Sequence, residues 1–99
     1  MADLDYAALL ADITSADSIR RDAAFVMIYA EDEMAVQPLI EQFYAGVNEA
    51  TGLAIIEIVS EIGGFEARTL LEDIVFLTET YPHASWREAA RQGMIRNDF

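Results

Sequence analysis

A weak internal repeat with a period of 32 residues constrains this chain more than any single motif. Residues 23–40, AAFVMIYAEDEMAVQPLI, align with residues 55–72, IIEIVSEIGGFEARTLLE. Both windows are apolar at the same seven places: Ala23/Ile55, Ala24/Ile56, Val26/Ile58, Met27/Val59, Ala30/Ile62, Ala35/Ala67 and Leu39/Leu71. Only the last two pairs are identical, so the repeat lies in pattern. A period of this length predicts one supersecondary unit stacked on copies of itself, each burying a face it cannot bury alone.

The repeating unit is helical, because alternation at period two is absent over any useful length. A first helix is expected over residues 4–13, with Asp3 as N-cap and Leu9, Leu10 and Ile13 as its apolar stripe. Asp17 or Ser15 caps a second helix over 18–30. Asp32 caps a third over 33–45, whose apolar stripe is Val36, Leu39, Ile40 and Phe43. Pro38 lies at the edge of the first turn, where an amide has no helical partner to lose. The proline therefore allows a slight kink or a later helix start. Gly46 suits a left-handed C-cap. Asn48 caps a fourth helix over 49–62, ended by Gly63-Gly64, and a fifth runs over 65–80. Tyr81-Pro82-His83-Ala84 breaks the pattern. Ser85-Trp86-Arg87-Glu88 then reads as a capping box opening a sixth helix over 86–96.

Short loops make sequential helices antiparallel neighbours. The expectation is one domain over residues 1–99, with hairpins over 18–46 and 48–80 and a half-unit at each end. The fold class is all-α, five to six helices in a short stack.

Composition narrows the function classes. Hydrophobic residues make up 54% of the chain, enough for a core and for apolar seams between stacked helices. The chain has no cysteine, so disulfides, thiolate nucleophiles and sulfur-ligated metals are excluded. Eighteen acids face six bases, all of them arginine, for a net charge of −12. Such a chain repels phosphate, which argues against nucleic acid and anionic membrane as partners. A protein with a basic surface is favoured, since complementary charge speeds encounter. The acidity also keeps an apolar-rich chain soluble. No apolar run approaches a membrane span, and the acidic opening MADLDYAALLADI is unlike a signal peptide, so a cytoplasmic location is expected.

An Ala-Ala helix start, a short acidic or glycine-rich turn, and then Ala-Val-x-Pro-Leu-Ile resemble HEAT-like repeats of the short bacterial type found in phycobilin-lyase-like proteins. The residues that carry this are Ala23-Ala24, Asp32, Ala35-Val36 and Pro38-Leu39-Ile40, and in the second unit Ile62-Gly63, Ala67 and Leu70-Leu71. The resemblance covers residues 18–80. The second unit lacks the proline, and the period is shorter than in typical eukaryotic HEAT units, which leaves armadillo-like and unrelated helical-hairpin folds as alternatives. The resemblance implies a right-handed α-α superhelix of antiparallel hairpins and a binding role. It does not carry lyase activity, because no catalytic motif accompanies it.

In such a stack the second helix of each unit lines the concave surface. Opposite the apolar stripe of the third helix stand Gln37, Glu41 and Tyr44. One period on, Thr69, Asp73 and Phe76 occupy the matching side of the fifth helix. These six are expected to form a ladder with acids in the middle and aromatics at one edge, suited to an Arg- or Lys-bearing partner with an apolar anchor. The plain alternative is a solvated face whose aromatics pack on a neighbouring helix.

Other residues point to structure. Trp86, beside a loop, reads as a core plug. His83, the one histidine, has no acid or thiol at a recognisable spacing for catalysis or metal binding. Glu31-Asp32-Glu33 lacks the ligand alternation of a calcium loop and reads as a cap. Glu57, Glu61, Glu72 and Asp73 read as solvated faces, since no Glu-x-x-His pair accompanies them. Arg20 and Arg21 are expected to pair with Asp17, Asp22 or the acidic first helix. Apolar residues of the terminal helices (Leu9 and Leu10 in the first; Met94, Ile95 and Phe99 at the last) are expected to offer a seam for self-association.

The reading that follows is a small acidic protein-binding scaffold without catalytic, cofactor or metal residues. Its rivals are an accessory subunit handling a cofactor or pigment, and an acidic mimic of nucleic acid that blocks a basic protein. The spread of acids along all helices disfavours the mimic.

Overall fold

The computed structural model describes residues 4–97. Six α-helices follow in order: α1 Tyr6–Ile13, α2 Ser18–Glu31, α3 Val36–Ala45, α4 Glu49–Ile62, α5 Phe65–Phe76 and α6 Ala84–Arg96. A 3-10 turn, Asp32–Ala35, joins α2 to α3. No strand occurs among the described residues, so the chain is all-α as its periodicity requires.

Local chemistry sets the helix starts. The Asp5 carboxylate accepts from the Ala8 amide at 3.1 Å and caps α1, which starts two residues later than expected; Asp3 lies outside the described residues. Asp17 accepts from the Ile19 and Arg20 amides, and Asn48 accepts from Thr51 at 2.8 Å. Each cap satisfies an amide that has no partner inside the helix.

Three expected boundaries move, each for a visible reason. The third helix begins at Val36, after the 3-10 turn, which leaves Pro38 in the first turn where its missing amide costs nothing. Asp32 is not an N-cap. It sits at φ 52°, the left-handed region, and closes α2. The fifth helix stops at Phe76, because the amides of Thr80 and Tyr81 both turn back to the Leu77 carbonyl. The Arg87 guanidinium then holds the Tyr81 and Pro82 carbonyls at 3.2 and 3.0 Å. The capping box does not form. Helix α6 opens at Ala84, the Ser85 hydroxyl donates across to Glu49 at 2.8 Å, and Glu88 instead takes Arg91 and Gln92 on its own helix.

The expected stripe of α3 is buried in full: Val36, Leu39, Ile40 and Phe43. It meets Ile55, Ile56, Ile58 and Val59 of α4 and Ala67, Leu70, Leu71 and Ile74 of α5 in one core. Burying each such side chain contributes about 1.5–3 kcal/mol before entropy is counted. Leu9, Leu10 and Ile13 of α1 belong to that core, so α1 offers no exposed seam. Phe99 lies outside the described residues, Met94 is half-buried, and only Ile95 of that expected set is exposed.

The two repeat windows share a pattern but differ in cover. Helix α4 is packed by α1, α3, α5 and α6, whereas α2 packs chiefly on α1 and the 3-10 turn. Hence Ile55, Ile58 and Val59 are fully buried while their counterparts Ala23, Val26 and Met27 are exposed. The approach of α6 to α4 depends on two glycines. A Cβ on Gly52 would lie under 3.0 Å from three atoms of the Trp86 indole, and one on Gly93 under 3.0 Å from Oγ and Cβ of Ser60. Asn97 fastens the end of α6, donating to the carbonyls of Ser60 and Gly93 at 2.6 and 2.7 Å.

Candidate protein-binding face

Helices α3 and α5 pack side by side, and that adjacency decides what becomes of the six ladder residues. Residues 37, 41 and 44 fall on one side of α3 by helical spacing, as do 69, 73 and 76 on α5. Gln37, Glu41 and Thr69 are exposed; the Thr69 hydroxyl is turned onto its own helix, donating to the Phe65 carbonyl at 3.1 Å. Across the seam the Tyr44 hydroxyl donates to Asp73 Oδ2 at 3.3 Å, so these two are directly joined. Asp73 is half-buried, while Tyr44 stays 52% and Phe76 71% exposed. Leu77, outside the expected set, adds an apolar side chain at 48% exposure. Phe76 and Leu77 also line a surface hollow with Thr78, Glu79 and Thr80.

Behind this face stands an aromatic group that sequence spacing does not reveal. The ring of Phe43 lies 5.7 Å from Tyr81 and 4.9 Å from Trp86, and meets Tyr44 edge-on at 6.1 Å. These separations suit favourable edge and tilted arrangements. Trp86 is buried, as expected of a core plug, and its indole N–H donates to the Glu49 carbonyl at 2.8 Å. Glu49 also receives the Ser85 hydroxyl, and its Oε1 sits 3.3 Å from His83 Nδ1. The histidine therefore has an acidic neighbour after all, brought from 34 positions away (83 against 49) by the docking of α6 on α4. The available signal was the clustering of Tyr81, His83 and Trp86 around one chain break.

Two other expectations for charged residues change. The guanidinium of Arg21 donates to the Ser15 carbonyl at 3.0 Å rather than to an acid, and Arg20 forms no ion pair among the described residues. Glu61 is not merely solvated, since it accepts the Tyr29 hydroxyl at 2.7 Å across α2 and α4. Among the described residues no group of three His, Cys, Asp or Glu side chains is placed to hold a metal ion.

The tyrosines carry the clearest electrostatic signature. Burial, and then the Glu61 carboxylate, hold the Tyr29 phenol far above its ordinary range. Tyr44 and Tyr81 are raised by burial first and then by the negative charge of Asp73. A raised folded-state value favours the neutral phenol. The stability it contributes is fully present below about pH 10, where unfolded tyrosine is also neutral. It is lost as pH climbs from there towards the folded values, because the unfolded chain ionises first. Alkaline titration followed by phenolate absorbance should show these tyrosines ionising together with unfolding, while Tyr29→Phe unfolds at a higher pH than the parent chain. Ordinary titration of every phenol in the folded protein would refute this.

Comparison with known protein families, curated proteins and solved structures returns no match to this chain.

Proposed function

We propose that this chain is a small acidic binding module built as a HEAT-like stack, which takes a partner protein on the α3/α5 face. Three features spaced by the repeat support the stacked reading. Tyr29 bonds Glu61, its own counterpart 32 residues on. Asp32 and its counterpart Gly64 both adopt positive φ, 52° and 100°, at the turn inside each unit. The third is the side-by-side packing of α3 and α5, the second helices of the two units.

The observation that carries the binding role is the half-buried Asp73 carboxylate framed by exposed Tyr44, Phe76 and Leu77. A carboxylate partly withdrawn from water attracts a guanidinium or ammonium more strongly than a fully solvated one. Aromatics beside it supply apolar anchorage and a π-face for the same cation. The partner that fits carries an Arg or Lys next to an apolar side chain. No helix among the described residues is long and apolar enough to cross a membrane.

The test is a pull-down from the native host's lysate using the parent chain and Tyr44→Ala/Phe76→Ala in parallel, with far-UV circular dichroism of both. Both side chains are more than half exposed, so the double variant should fold, its melting temperature lowered only by the loss of the Tyr44–Asp73 hydrogen bond and the Tyr44–Phe43 ring contact. Partner capture should fall by about tenfold or more, as for loss of paired aromatic anchors. A partner held equally by both proteins would move the site off this face.

A further inference from the structure

Helix α2 is apolar on two opposite sides. Ala24 and Ile28 face the core. On the other side Ile19, Ala23, Val26, Met27 and Ala30 form a second stripe at spacings of three and four, with Ile19 79%, Val26 69% and Met27 45% exposed. No other helix among the described residues exposes three large apolar side chains. The outward residues of α6 make the contrast, since Glu88, Arg91 and Gln92 bond one another there.

We infer that two copies of this chain pair through α2, antiparallel, about a two-fold axis close to Val26. Charge selects the occupant. Arg20 and Glu31 lie on the same flank of the stripe, three turns apart, and neither forms an ion pair among the described residues. Eleven residues of helix separate them by about 16 Å, too far to pair within one copy. In an antiparallel pair equal flanks meet, so Arg20 of each copy lies against Glu31 of the other. The stripe is thus complementary to itself in that one orientation. Helix dipoles oppose favourably in the same arrangement. Ala23 and Ala30, seven residues apart, let the backbones approach closely around the central Val26. A single helix face buries less than the about 1,200 Å² of a standard interface, so the association is micromolar or weaker. At about 0.15 M salt the repulsion between two chains of charge −12 is screened beyond roughly 8 Å, while contact pairs persist.

Cysteine trapping tests this directly, because the chain contains no cysteine. Val26→Cys places one thiol beside the axis. Ile19→Cys places one about 10 Å from it along the helix, so the two copies' thiols lie about 20 Å apart. Under mild oxidation at about 200 µM protein, Val26→Cys should form disulfide dimers at least about tenfold faster than Ile19→Cys, and faster than it does itself in urea, since bridging needs Cβ atoms about 4 Å apart. Equal rates for the two variants in buffer would overturn the antiparallel arrangement. A Val26→Cys rate no higher in buffer than in urea would overturn the pairing itself. Arg20→Glu and Glu31→Arg should each weaken sedimentation-measured dimerisation by roughly threefold to tenfold. The two combined should recover it, and failure to recover would also reject the antiparallel register.

Discussion

Replacing Trp86 with alanine should lower the unfolding free energy by about 3–5 kcal/mol, the usual cost of emptying a buried aromatic site. A domain of this size has about 5–15 kcal/mol in all. The corresponding fall in melting temperature is more than about 12 °C. The indole rests on the backbone of Gly52, packs within 4.9 Å of the Phe43 ring and 4.5 Å of His83, and donates to the Glu49 carbonyl. Helix α4 cannot move in to fill the space without leaving α5, so the cavity persists. Trp86→Phe should recover roughly half of the loss, since it restores ring packing but not the hydrogen bond or the second ring. Urea melts followed by far-UV circular dichroism read this, because the variant removes the only tryptophan. A loss under about 1 kcal/mol would mean that the α4–α6 seam closes over the gap.

Gly93→Ala is the second large effect, and its sign is the informative part. In a solvated helix the change adds about 1 kcal/mol through helix propensity. Here the new methyl meets Ser60 at Oγ and Cβ and approaches Leu71 Cδ1 at 3.2 Å. The Ser60 Cβ is anchored to the α4 backbone, and its hydroxyl is held by the Ile56 carbonyl at 2.6 Å. Neither can swing aside, so the helices must separate. Overpacking of this kind costs about 1–3 kcal/mol and outweighs the propensity gain. Ser60→Gly in the same chain removes both clashing atoms and should restore most of the loss, a coupling that a double-mutant cycle isolates. Stabilisation by Gly93→Ala alone would show that α6 rides farther from α4 than these distances place it.

Both effects sit on a seam that the sequence discloses only in part. The helices themselves are legible, because capping residues and glycine pairs mark their ends: Asp17, Asn48 and Gly63-Gly64 act where spacing puts them. The α3 stripe is legible for the same reason, since Val36, Leu39, Ile40 and Phe43 follow helical period without interruption. Errors arise where a distant side chain competes for a local one. Ser85 leaves its capping role for Glu49, and the α5 terminus is settled by an arginine from the next helix. Of the candidate site, the rungs Glu41/Asp73 and Tyr44/Phe76 follow from period, whereas the exposure of the two aromatics and the hydrogen bond from Tyr44 to Asp73 between rungs do not. The Phe43–Tyr81–Trp86 group behind them does not, because it joins residues from three elements around a loop whose path no local rule specifies. Repeat alignment also says nothing about cover, so Val26 and Ile58 share a position and differ completely in burial.

The dependence of α4 on α6 has a consequence during synthesis. About 35 residues separate Glu49 from Ala84, the first residues of the two helices. At 5–20 residues per second that length takes about 2–7 s to translate. Helix pairs dock in milliseconds or less, so wherever α4 leaves the ribosome ahead of α6 its Gly52–Ile56–Ser60 face stays uncovered far longer than docking takes. A newborn copy therefore presents one apolar surface more than the mature one, the groove on α4 that α6 later covers. Chaperone capture, or mispairing between neighbouring ribosomes on one message, falls in that interval and ends when Trp86 arrives.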